Sequence, residues 1–214
     1  MSTSPPLRAD AERNRQRLLD AARDVFADRG LSVTLDEIAK HAGVGVGTAY
    51  RRFRNKDELI DALLEARIDE LTAIAERWLA HPDPWAAVRG YLEEAMQLQC
   101  ADRGLKQVLF APGHGAVRVA RARQTLGPAV SRLVARAREA GVVRADLQGT
   151  DLALFNKMLG EVVDLGRDVE PDLWRRYLDI LLAGIRADAP PARLVVPALD
   201  PDRFQQAMAA YKPG

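Results

Sequence analysis

At 214 residues the chain can bury one large helical core or join a small domain to a larger one, while a formal charge of +1 excludes a protein that is basic throughout. Any contact with nucleic acid therefore rests on a local cluster of Lys and Arg. A single cysteine, Cys100, excludes an internal disulfide framework; together with an opening MSTSPPLR that lacks the apolar stretch of a secretion signal, and no apolar run near the roughly 18 residues that span a bilayer, it predicts a cytoplasmic protein with no membrane partner.

Apolar residues recur at helical spacing almost throughout and alternating runs are nearly absent, so the predicted fold is all-α. The first helix is expected from about Asp10 to Arg29, with Leu18, Ala22, Val25 and Phe26 on one stripe and Gly30 ending it. Thr34 and Glu37 stand at the spacing of a capping box and open a second helix that carries Leu35, Ile38 and Ala39 and stops at Gly43. A short third helix follows, near Val46 to Phe53. Asn55 and Glu58 repeat the capping pattern and start a long helix through Leu59, Leu63, Leu64, Ile68, Leu71 and Ile74.

Asp83 and Pro84 supply a cap and a first helical residue for a helix reaching about Ala101. Further helices are predicted over 103–110, 115–125, 128–140, 150–166 and 171–187. Three prolines between Ala189 and Asp200 deny a helix its donors, so that stretch is read as extended. Pro201 then opens a last short helix with Phe204, Met208 and Tyr211 on one face.

Between Thr34 and Phe53, two short helices flank a Gly43-Val44-Gly45 turn, the layout that presents a second helix to the major groove of DNA. Ala49 and Phe53 lie four apart and face inward, which turns Gly47, Thr48 and Arg51 outward with Tyr50 and Arg52 on the flanks. From Gly45 to Lys56 the chain holds Arg51, Arg52, Arg54 and Lys56 and no acid before Asp57, which is the required local cluster. Tyr50 offers a hydroxyl to a phosphate, and Lys56 sits beside the amide end of the next helix. A dinucleotide-binding loop is rejected for the glycine run, since a helix precedes it where a strand is required and the third glycine is misplaced.

The stretch TLDEIAKHAGVGVGTAYRRFRNKDELIDAL, residues 34 to 63, resembles the TetR family of transcriptional regulators. The resemblance implies an operator-binding helix-turn-helix with Thr34, Val46, Gly47, Thr48, Tyr50, Arg51, Arg52 and Lys56 at the contact positions. Two departures stand out: Gly45 where the family often has a capping serine, and Val46 where a polar base-reader is common. The implied organisation is an N-terminal three-helix DNA-binding domain over 1–55, a C-terminal helical ligand-binding and dimerisation domain over 56–188, and a proline-containing tail over 189–214. The implied function is a repressor, not an enzyme, released from a palindromic double-stranded operator by a small-molecule effector.

Candidates in the later helices are diffuse. Trp85, Tyr91, Met96 and Cys100, with Phe110, Phe155, Met158 and Trp174, are large or soft side chains suited to an effector pocket, and equally to plain core packing. Leu152, Phe155, Leu159 and Val163 on one helix, with Trp174, Leu178, Leu181 and Ile185 on the next, give apolar faces broader than a small body needs. The family-like reading pairs these helices with their copies in a homodimer. His41, His81 and His114 are far apart in sequence and none lies near Cys100, so neither a metal nor a cofactor is expected. Arg118, Arg121, Arg123, Arg132, Arg136, Arg138 and Arg144 form either a solvated face or a site for an acidic effector or more DNA.

Overall fold

Pro6 takes the first helical position, where its missing backbone donor costs nothing, and α1 runs Pro6–Arg29, starting earlier than the periodicity implied. The computed structural model describes residues 6–101, 124–188 and 194–210. Among these, α1 is followed by α2 (Leu35–His41), α3 (Val46–Arg52), α4 (Lys56–Leu79), α5 (Pro84–Ala101), α6 (Leu126–Glu139), α7 (Gly149–Gly166), α8 (Leu173–Ile185) and α9 (Pro201–Ala210). The architecture of the described residues is all-α, as the spacing predicted. The helix predicted over 103–110, with Phe110, lies outside the described residues, as do Tyr211 and all but the last two positions of the one predicted over 115–125.

The chain forms two compact units, with a boundary between Ala66 and Arg67. In the first, Leu18, Ala22, Val25 and Phe26 of α1 pack with Leu35, Ile38 and Ala39 of α2 and with Ala49 and Phe53 at α3. Leu59, Ile60, Leu63 and Leu64 of α4 belong to the same core, so this compact unit runs on into α4 as far as Ala66.

In the second unit α7 is the hub, packing against α5, α6 and α8. Val88, Tyr91, Leu92 and Met96 of α5 meet Leu133 and Val134 of α6, Leu152 and Leu159 of α7, and Trp174, Leu178 and Leu182 of α8. Asp83 caps α5 as the sequence predicted, its carboxylate accepting from the Trp85 and Ala86 amides at 2.8 and 3.2 Å. Close approach is decisive at Gly90, where a Cβ would come within 2.4 Å of the Trp78 ring; the Trp78 indole N–H in turn donates to Glu94 at 2.8 Å. An antiparallel bridge between Val143 and Arg186 ties the end of α8 to the segment after α6.

The described arginines of the later basic region are fasteners. Arg136 donates to the Leu79 and Pro82 carbonyls at 2.7 and 2.8 Å, satisfying acceptors left open where α4 ends. Arg138 reaches the Leu147 carbonyl, Arg132 pairs with Glu76, and Arg144 grips Asp146 through two nitrogens. These four side chains are therefore engaged within the chain; Arg118, Arg121 and Arg123 lie outside the described residues. No described helix is long and apolar enough to cross a membrane. Among the described residues no cluster of His, Cys, Asp and Glu is fit to hold a metal ion.

Candidate nucleic-acid interface

The interface is built by local chemistry at both ends of α2. Thr34 accepts the Glu37 amide at 3.3 Å while the Glu37 carboxylate takes the Thr34 amide at 2.8 Å, completing the predicted capping box. The Thr34 hydroxyl also donates to Glu37 at 2.9 Å, so this candidate contact residue is already employed as a cap. Glu37 is held at a pKa of about 2, first by the Thr34 amide, then by Arg29 and the Thr34 hydroxyl.

At the other end the chain must reverse sharply. Gly43 does so with φ at +61°, a left-handed conformation that side chains resist, and a Cβ there would stand 3.0 Å from the Arg17 guanidinium. The Val44 amide donates back to Ala39 at 2.9 Å, closing the turn. Gly45 caps α3 with its backbone alone, accepting from the Thr48 and Ala49 amides at 2.8 and 3.0 Å.

α3 is pinned by Ala49 and Phe53, which are fully buried, and this fixes the rotation of the helix. Val46, Gly47, Tyr50, Arg51 and Arg52 are all exposed as a consequence, and Thr48 is half-buried. The Arg51 guanidinium folds back along α3, donating to the Gly47 carbonyl at 3.2 Å and to the Thr48 hydroxyl at 2.9 Å. The Asp36 carboxylate of α2, beside the Tyr50 hydroxyl, holds the phenol above its ordinary range.

Beyond α3, Asn55 caps α4 by accepting the Glu58 amide at 2.9 Å, but the box predicted there is not reciprocal: Glu58 takes the Arg54 amide at 2.6 Å instead. Lys56 is half-buried and its ammonium donates to the Leu31 carbonyl at 2.6 Å, tying the start of α4 to the turn that ends α1. Sequence reasoning missed this bond and the Tyr50 to Asp36 link, since both join residues on different elements. Arg52 and Arg54 remain exposed beside them.

The predicted effector residues divide. Tyr91, Met96 and Trp174 lie deep in the second core, Trp85, Cys100 and Phe155 are half-buried, and Met158 is exposed. Burial pushes the Tyr91 phenol far up, with the neighbouring Asn156 side chain opposing the shift. Burial likewise raises the Cys100 thiol, with Arg175 opposing it. Trp85 lies under the Arg186 guanidinium, 4.7 Å from its ring centre.

Of the predicted dimer residues, Leu152, Leu159, Trp174, Leu178 and Ile185 are buried inside the chain's own core, and Phe155, Val163 and Leu181 are half-buried. The first five therefore have no surface to offer a partner. The apolar surface of α7 and α8 belongs instead to Met158, Leu165, Tyr177 and Ile180, with Ile180 54% exposed.

Residues 18–63 match the family profile of bacterial regulatory proteins of the tetR family, and residues 83–187 match that of the transcriptional regulator SbtR-like C-terminal domain. The chain is 48% identical over 60 residues to the HTH-type transcriptional regulator SrpR of Pseudomonas putida, a stretch amounting to 28% of each protein. The chain thus spans under a third of the length of that curated relative. Solved structures align more fully. A TetR transcription regulatory protein from Mycobacterium vanbaalenii is 34% identical with a TM-score of 0.62, the alignment covering 85% of this chain and 99% of that one. A TetR transcriptional regulator from Streptomyces coelicolor is 30% identical with a TM-score of 0.61, covering 82% and 99%.

Proposed function

Since this chain belongs to the TetR family of bacterial regulatory proteins, we propose that it is a cytoplasmic, homodimeric transcription repressor that a small-molecule effector releases from a palindromic operator. The observation that carries the reading is the outward face of α3: Thr48, Tyr50, Arg51 and Arg52 stand on a helix whose rotation is fixed by buried Ala49 and Phe53. Base edges are read by Thr48 and Arg51, and phosphates are met by Tyr50, Arg52 and Lys56. Thr34 and Gly47 serve at the margin, one by holding α2 and the other by letting the backbone come close to the duplex. In a two-fold dimer the two α3 helices enter successive major grooves about 34 Å apart.

Dimerisation is assigned to α7 and α8, through exposed Met158, Tyr177 and Ile180 with half-buried Phe155, Val163 and Leu181 at their edges. The effector is assigned to the second unit, near Tyr91, Met96, Cys100 and Phe155, where α5 and α7 pack together. An effector that binds better to a mis-spaced dimer lowers operator affinity by the ratio of its two affinities, typically about 1–3 kcal/mol of coupling.

Footprinting on genomic fragments, followed by transcription from the protected promoter, tests the proposal. The expected result is protection of an inverted repeat with half-sites one helical turn apart and a fall in transcript when protein is added. Protection without dyad symmetry contradicts the dimeric reader, and a rise in transcript makes the protein an activator.

A further inference from the structure

The outward groups of α3 differ in how ready they are for a new partner. Arg51 is bonded to the Gly47 carbonyl and the Thr48 hydroxyl, so for these two side chains to reach base edges, bonds inside the chain must be exchanged for bonds to DNA. The Tyr50 hydroxyl lies beside the Asp36 carboxylate. Val46 is different. It stands at the first position of α3, 43% exposed, with an isopropyl group that can neither donate nor accept. Tyr50, 48% exposed, follows one turn later on the same side, so the two make a continuous apolar strip along the helix. Beside the strip, a Cβ on Gly47 would meet nothing within 4 Å, so the ground next to Val46 is open.

An apolar side chain brought into the major groove has one apolar target there, the C5 methyl group of thymine. Against any other base edge it would bury donors or acceptors without replacing their water, which costs affinity. We propose that the Val46–Tyr50 strip is a thymine-methyl reader, and that each operator half-site places a thymine against Val46. The assignment rests on the DNA-binding reading above and names the base chemistry it selects. It makes Val46 a specificity-determining residue and gives Tyr50 two functions, with its ring against the groove and its hydroxyl towards Asp36 or a phosphate.

The test uses the full-length protein and the duplex found by footprinting. Each thymine is replaced in turn by deoxyuridine, which removes the C5 methyl and leaves the base-pairing edge unchanged. Binding is measured for the wild-type chain and for Val46→Ala, an exposed substitution by a good helix former, with circular dichroism to verify folding. For the wild-type chain, one thymine in each half-site loses about fourfold in affinity on conversion to deoxyuridine, the worth of one buried methyl. For Val46→Ala the thymine duplex is bound more weakly by a similar factor, and the difference between thymine and deoxyuridine disappears. Equal wild-type binding to every deoxyuridine duplex overturns the proposal, as does a Val46→Ala chain that keeps the wild-type discrimination. A chain that binds the genomic fragment no better than a scrambled duplex overturns the DNA-binding reading itself, a result distinguishable because it appears before any deoxyuridine is introduced.

Discussion

The two units of this chain place their candidate residues in opposite ways. In the first unit the candidate interface lies within one short stretch, Thr34 to Lys56, where a cap, a left-handed glycine and two inward side chains set the outward groups of α3. In the second, the candidates come from α5, α7 and α8, and each side chain must be shared between core packing and any ligand or partner. Function written in local geometry can be read residue by residue; function written in tertiary packing cannot be separated from stability without knowing which side chains the core has already taken.

Substitutions sharpen that contrast, beginning with the largest effect. Phe26→Ala empties the centre of the first core, where Phe26 is fully buried, and is expected to cost about 4 kcal/mol in denaturant unfolding and to abolish operator binding at 37 °C. Ile180→Asp, on the exposed side of α8, should leave the fold intact yet weaken self-association by about 30-fold in sedimentation, equivalent to about 2 kcal/mol. An unchanged dimer would move the partner surface away from α8. Gly43→Ala forces a Cβ into the left-handed turn and against Arg17, and should cost about 1.5 kcal/mol while distorting the presentation of α3. Operator affinity should therefore fall by more than stability alone explains.

The smallest of these effects lies at the cap. Thr34→Ala removes the acceptor of the Glu37 amide and should cost about 1 kcal/mol. Glu37 adds a pH signature to the same site. Its folded pKa, about 2, is depressed from an ordinary 4.5, so its contribution is complete above about pH 4.5 and is lost as the pH falls toward 2. The gap in melting temperature between wild type and Glu37→Gln should close over that window. A gap of constant size would mean that the box does not depend on the carboxylate charge.

What the sequence made legible follows the same division. The Thr34–Glu37 box, the Gly43 turn, the Asp83–Pro84 start of α5 and the inward Ala49–Phe53 pair depend on residues within one helical turn of each other, and each was readable from spacing. The Lys56 bond to the Leu31 carbonyl and the Tyr50 link to Asp36 join separate elements, and no local pattern announces them. On α7 and α8 the periodicity correctly identified apolar faces. It could not tell that Leu152, Leu159 and Trp174 are consumed by the chain's own core while Met158 and Ile180 are left outside, because both sets repeat at helical spacing.

The central claim is that α3 reads DNA sequence. It is tested most directly by titrating Arg51→Ala and wild type against the footprinted operator and a scrambled duplex across a range of salt. Arg51→Ala should lose about tenfold on the operator and far less on the scrambled duplex, because a base contact carries discrimination that a phosphate contact does not. Equal losses on the two duplexes, with the slope of log affinity against log salt reduced by about 0.9, would make Arg51 a phosphate contact and contradict its assignment as a base reader.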